Sequence, residues 1–196
     1  MDLLDKNKVL EFLRLVNNLK HSVRKGWEYR GIQNAESIAS HMYSMGIMTF
    51  LLGDNSNLDR LRCLQLALVH DLAECIVGDI TPQDNVPKDV KYKLEDQAMK
   101  ELTARLDSEV GKIIYELYKE YERKETPEAR FVKDLDQFDM ILTATEYEEK
   151  DKAPRKLQEF FDSTHGKFEH PFIKQLVDVL EQQRKCNDSL EKCELE

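Results

Sequence analysis

Four residues within ten positions, His70, Asp71, Glu74 and Asp79 in the stretch LVHDLAECIVGDITP (68–82), set one imidazole beside three carboxylates. Read as one helix over Leu61–Val77, 100° per residue puts Asp71 about 100° and Glu74 about 40° around from His70. The same arc holds Leu64, Ala67 and Leu68, which the apolar pattern assigns to the core. Carboxylates on an apolar arc are costly to bury unless protonated, paired or bound to a metal. The stretch asks for a cation. Other helices offer groups to share it. His41 lies in the most apolar segment of the chain. In the helix opening at Thr126, Asp136 shares an arc with Val132, Met140 and Thr143, with Asp139 about 60° away and Asp134 nearly opposite. Two imidazoles and two carboxylates suit a divalent ion such as Mn, Co, Fe, Ni or Zn, with positions left for water or substrate. Taken singly, His41 reads as readily as a hydrogen-bonded core histidine, and Asp136 as a buried ion-pair partner.

The elements that must position these groups all read as helix. Val9, Phe12, Leu13 and Val16 mark a helix over Lys8–Leu19, and Ser37–Leu52 is apolar almost all round, the pattern of a buried central helix. Asn57 or Asp59 can cap Leu61–Val77, and Gly78 is a natural stop. Pro82 and Pro87 bracket a loop before helices at Lys88–Leu106 and Ser108–Arg123. Thr126-Pro127-Glu128 supplies an N-cap, a first-turn proline and an acidic first turn for a helix reaching about Glu149. Phe172–Leu180 carries a last apolar stripe, and the polar segment QQRKCNDSLEKCELE reads as a frayed tail. The fold class is all-α.

With 196 residues, 41% apolar and 34% charged, the chain has a soluble composition and enough length for one sizeable core. Its formal charge of −9 argues against nucleic acid or an anionic membrane as partner, since both need a broad basic footprint. No run reaches the ~18–20 apolar residues of a membrane span, and MDLLDKNKVLEFLRLV lacks a signal peptide's apolar core. A cytoplasmic setting is expected, with Cys63, Cys75, Cys186 and Cys193 as reduced structural thiols, because none has zinc spacing. Positive charge concentrates in KHSVRKGWEYR (20–30), where Lys20, Arg24, Lys25 and Arg30 stand against Glu28 alone, a net +3 beside the only tryptophan, Trp27. A guanidinium for phosphate and an aromatic face for sugar or base is the division of labour expected there. The plain alternative is a solvated basic turn with Trp27 filling a surface gap.

The pattern His41, His70-Asp71, Asp136 resembles the four-ligand signature of the HD superfamily of metal-dependent phosphohydrolases. The blocks RKGWEYR, ESIASHMY, HDLAECIVGDITP and KDLDQFDMILTATEYE are similar to its 5′-deoxynucleotidase branch, over roughly residues 10–150. The resemblance implies an all-α HD-domain bundle, in agreement with the helix reading: one domain over 1–180 and a polar tail over 181–196. It implies His41, His70, Asp71 and Asp136 as metal ligands, with Asp139 in a supporting role. HD phosphodiesterases and two-metal members generally carry further histidines between the HD pair and the last aspartate; this chain has none between Asp71 and Asp136. The Glu-Asp of the stringent-response hydrolases is also missing, since Cys75 follows Glu74. One divalent ion per site is the implied cofactor, Mn, Co or similar, with Mg, Zn, Fe and Ni open.

The activity implied is hydrolysis of deoxyribonucleoside 5′-monophosphates to deoxyribonucleosides and phosphate. Glu74 and Asp79 are the expected catalytic pair. Glu74 is placed to take a proton from water and Asp79 to give one to the leaving 5′ oxygen, with the reverse assignment open. Arg24, Lys25 and Trp27 are the expected substrate contacts, with Trp27 covering the sugar's 2′ carbon. Bacterial relatives carry an Arg-Trp pair where this chain has Lys25-Gly26-Trp27, so Arg24 and Lys25 both stand for the arginine's role. A homodimer is expected from the family. Two other functions stay open, an HD phosphatase for another small phosphomonoester and a non-catalytic HD-fold binding protein. The intact ligand set with Glu74 and Asp79 counts against the second.

Overall fold

A computed structural model describes residues 5–53 and 56–194, with side chains described as far as Cys186; Cys193 therefore lies outside the described side chains. Its elements are α1 (Lys6–Asn18), α2 (Lys25–Glu28), α3 (Ile38–Met48), α4 (Arg60–Val69), α5 (Glu74–Val77), α6 (Lys88–Thr103), α7 (Ser108–Arg123), α8 (Pro127–Asp151), α9 (Gln158–Thr164) and α10 (Pro171–Glu194). Short 3-10 turns cover Thr49–Leu51 and Pro82–Asp84. The fold is all-α, as expected; the one strand-like pairing among the described residues is an isolated antiparallel bridge between Val23 and Ser37. Local chemistry starts the helices. Side-chain oxygens of Asp5, Ser37, Asp59 and Asp107 accept first-turn N–H groups of α1, α3, α4 and α7. Asp59, not Asn57, is thus the cap of α4.

The chain divides into two compact units, Met1–Ala129 and Arg130–Glu196. In the first, α3 packs on α4, α4 and α6 pack on α7, and α1 and α6 pack on α5. Leu19, Ile38, Met45, Leu66, Met99 and Leu102 are its fully buried anchors. A Cβ at Gly46 would meet Leu64 Cδ1 at 3.4 Å and Leu68 Cδ2 at 3.7 Å, ordinary contact distances between α3 and α4. The expectation of a helix buried all round is corrected here. Ile38, His41, Met42, Met45 and Met48 are buried, but Tyr43, Ile47, Phe50 and Leu51 are exposed, because α3 is covered on one side only.

The single helix expected over Leu61–Val77 is two. After Val69 the bonding tightens: Leu72, Glu74, Cys75 and Ile76 each donate to the carbonyl three residues back, the closer winding of a 3-10 turn. The Ala67 carbonyl takes the His70 Nδ1–H, a side-chain bond of the kind that competes with a helix ladder. Residues 70–73 therefore form a turn, and the angles expected from a continuous α-helix do not carry across it. Gly78, at φ +73°, ends α5 in a conformation that favours glycine and turns the chain toward Asp79.

In the second unit, α8 continues into α9 and α10. Asp134 accepts the N–H groups of Glu169 (2.8 Å) and His170 (2.6 Å) at the start of α10, while the His170 ring lies edge-on to Phe131. Glu148 on α8 accepts two bonds from Arg184 on α10 and one from the Leu157 N–H. Arg184 also donates to Gln158 and lies 3.7 Å over the Phe161 ring. The frayed tail expected after Leu180 is thus corrected: α10 runs on to Glu194, and Arg184 is 4% exposed.

Candidate metal centre

α3 and the turn after α4 bring His41, His70 and Asp71 together, with one donor atom from each inside a sphere of contacts no wider than 4.8 Å. Asp71 Oδ2 lies 3.1 Å from His70 Nε2 and 3.9 Å from His41 Nε2, and the two rings meet edge-on at 5.3 Å. His70 Nδ1 sits 2.9 Å from the Ala67 carbonyl, which can only accept. In the neutral ring, that nitrogen therefore carries the proton and Nε2 keeps its lone pair. Nε2 is buried and has no hydrogen-bond partner among the described residues. A lone pair held 3.1 Å from a carboxylate oxygen is a repulsive pairing that a cation between them would turn to attraction. The donor set fits a divalent ion. Tyr121, with its ring 5.0 Å from that of His70, fixes the other side of the imidazole.

The basic segment approaches the same carboxylate. Arg24 Nη1 lies 3.6 Å from Asp71 Oδ2, and its Nε lies 3.6 Å from Glu36 Oε1. Trp27 Nε1–H donates to that Glu36 oxygen at 2.9 Å. With its side chain 1% exposed, Trp27 shows no open face for a sugar, which corrects the role expected for it: its ring fills the core and its N–H serves Glu36. Lys25 joins through its backbone, whose N–H donates to Asp79 Oδ2 at 2.8 Å, while its Nζ lies 3.9 Å from Asp84. Tyr29 donates to Asp84 at 2.7 Å and Thr81 N–H binds the other oxygen; with the Tyr29 bond leading, these hold the Asp84 carboxyl down at about 2. Residues 24–29 are therefore stitched to residues 79–84.

Glu74 is buried at the start of α5, with Oε2 lacking a hydrogen-bond partner among the described residues. Burial first, then the like charges of Asp71 and Asp79, holds its carboxyl well above the usual range. Burial also raises Asp79, against the pull of Arg24 and of the Lys25 N–H. Facing them is Lys91 on α6, whose Nζ donates to the Ile80 carbonyl at 2.8 Å and lies 3.5 Å from Glu95. Its ammonium is held above the ordinary value, against desolvation, by Glu95, Glu74, Asp71 and Asp79. Burial pushes Glu95 itself up to about 7 despite Lys91.

An HD-domain family model matches residues 16–176. The human protein named 5′-deoxynucleotidase HDDC2 is 52% identical over 91% of this chain and 87% of its own length. The chain belongs to the HD-domain family. A second relative, 5′-deoxynucleotidase YGK1 of Saccharomyces cerevisiae, is 36% identical over 94% of this chain and 87% of its own. Among solved structures, the PH0347 protein from Pyrococcus horikoshii superposes with a TM-score of 0.73 at 34% identity, covering 90% of this chain and 98% of that one.

Of the residues the HD pattern picks out, His41, His70 and Asp71 converge in the first unit, with Glu74, Asp79, Arg24 and Lys25 around them. Asp136 lies on α8 in the second unit, where it accepts from Lys133 Nζ at 2.7 Å, and Asp139 on the same helix is 2% exposed. Glu36, Lys91, Glu95 and Tyr121 were not legible as site neighbours. Glu36 reaches the site through a backbone turn that no periodicity encodes, and Lys91, Glu95 and Tyr121 look like any residue on an amphipathic helix.

Proposed function

We propose that this chain is a metal-dependent 5′-deoxynucleotidase, which hydrolyses deoxyribonucleoside 5′-monophosphates to deoxyribonucleosides and phosphate. The observation that carries the metal is the buried His70 Nε2 lone pair, fixed by the Ala67 carbonyl and aimed with His41 at Asp71. The substrate class rests on relatives of that printed name, aligned over nine-tenths of the chain. His41, His70 and Asp71 hold one divalent ion, Mn, Co or similar, and the family motif adds Asp136 as fourth donor. Such an ion supplies Lewis acidity toward a phosphate oxygen and toward water. Glu74 takes the proton of the attacking water, its buried Oε2 having no hydrogen-bond partner among the described residues. Asp79, fixed by the Lys25 N–H, gives a proton to the leaving 5′ oxygen. Arg24 and Lys25 bind the phosphate, and Lys91 anchors the Asp79 loop through Ile80.

The reading includes a cytoplasmic setting, supported by the free buried thiols of Cys63 and Cys75, and a homodimer, supported by the exposed Tyr43, Ile47, Phe50 and Leu51. Among the described residues no helix is long and apolar enough to cross a membrane. Metal analysis tests the centre. His70→Ala and Asp136→Ala should each lose the stoichiometric divalent ion and all phosphatase activity while keeping their helical content. Full metal occupancy in both variants would sink the ligand assignment.

A further inference from the structure

Glu36 is a carboxylate that the proposed reaction does not use, yet it is built into the surroundings of Arg24. Its Oε1 accepts the Trp27 indole N–H at 2.9 Å and lies 3.6 Å from Arg24 Nε. The two backbones are tied at the same place. Arg24 N–H donates to the Glu36 carbonyl at 3.1 Å and Ile38 N–H to the Ser22 carbonyl at 2.9 Å, on either side of the Val23–Ser37 bridge. The Arg24 and Glu36 side chains are only 17% and 15% exposed. This isolated bridge thus fixes the arginine beside the glutamate. A guanidinium is planar, so a carboxylate held on its Nε edge sets the direction of the Nη edge, which here faces Asp71 at 3.6 Å.

We infer that Glu36, oriented by the Trp27 N–H, is a positioning residue that holds the Nε edge of Arg24 and so presents its Nη edge to a phosphate bound beside Asp71. Anchoring the guanidinium beforehand removes rotamer freedom that phosphate binding would otherwise have to freeze. The inference deepens the phosphatase reading and rests on it. It also makes Trp27, the only tryptophan of the chain, a reporter of the phosphate subsite, since its N–H shares Glu36 with Arg24.

The test is titration of the Mg-loaded protein with inorganic phosphate, following the single indole N–H resonance by NMR and the affinity by calorimetry. Wild type should show a saturable shift of that resonance. Glu36→Gln should keep its metal and helical content, bind phosphate about tenfold or more weakly and lose the indole response. Trp27→Phe should weaken phosphate in the same direction, and the double variant should be no worse than Glu36→Gln alone, since both act through one contact. Phosphate affinity in Glu36→Gln within about twofold of wild type, or additive losses in the double variant, would overturn the role of Glu36 alone. A wild-type protein that takes up metal but binds no phosphate would overturn the phosphatase reading as well.

Discussion

At the scale of single residues, the site sets carboxylates in unlike surroundings. Glu74 is buried and bears an unpartnered oxygen, whereas Asp79 has its Oδ2 held by the Lys25 N–H. Glu74→Gln keeps the size of the side chain and removes its basicity. It should retain the metal and bind inorganic phosphate, but lose about 10²–10⁴-fold in kcat, as general acid–base groups do. Unchanged turnover would take Glu74 out of the mechanism, and loss of metal would make it a ligand. Glu95 offers a second test, of stability. Its carboxyl is raised to about 7 from an ordinary 4.5, so between those values the folded state binds more protons than the unfolded. Its favourable contribution is full below about pH 4.5 and is lost as pH rises through about 7. Glu95→Gln should therefore be the more stable protein at pH 8, by about 1–3 kcal/mol, with the gap closing near pH 4.5. Urea unfolding at the two pH values measures it; a variant less stable at pH 8 would show that the Lys91 pairing outweighs burial. His41 and His70 were legible because ionisable groups among apolar residues stand out from a helix pattern, and Asp71 and Glu74 by their closeness in sequence to His70, although the turn at 70–73 takes them off the arc expected for them. Glu36 and Lys91 were not, since a charged residue in a turn or on a solvated face looks ordinary until the backbone brings it round.

At the scale of elements, strong periodicity gave the helices well: α7 was expected over Ser108–Arg123 and is found there, and α4 starts at its Asp59 cap. The 3-10 turn at 70–73 and the four-residue α2 escaped, because a turn or two of helix leaves no periodic trace. Both escapes lie at the site. The turn swings Glu74 away from its α-helical angle, and α2 takes Asp79 at its N-terminal N–H. The tail was misjudged for a different reason. Hydropathy reads QQRK as solvent-facing, whereas Arg184 is buried against Glu148, Gln158 and Phe161. Removing one partner of a buried ion pair leaves the other uncompensated, at about 3–5 kcal/mol. Arg184→Ala should cost stability of that order in chemical denaturation while leaving metal binding intact. A loss below about 1 kcal/mol, the range of an exposed pair, would return this stretch to the solvent.

At the scale of the whole molecule, a chain of net charge −9 has an overall field that opposes binding of the dianionic substrate proposed for it. The positive charge gathered in residues 20–30, with Arg24 held beside Asp71, offsets this locally. Phosphate and metal contacts are common to ribo and deoxy substrates, so selectivity must come from the sugar pocket. An apolar pocket rejects an added hydroxyl by about 10²-fold, and by more where that hydroxyl is left unpaired. With Trp27 buried behind Glu36, the ring is not the surface that meets the 2′ carbon, and its substitution should weaken both sugar types alike through Arg24. The deoxynucleotidase activity proposed for the chain is metal-dependent and selective for the deoxy sugar. Its most direct test is kcat/KM for dAMP against AMP, and dCMP against CMP, using metal-stripped protein resupplied with Mn or Co. The expected result is metal-dependent release of phosphate with each deoxy form favoured by about 10²-fold or more. Equal hydrolysis of ribo and deoxy forms, or no hydrolysis of either by the metal-loaded protein, would contradict it.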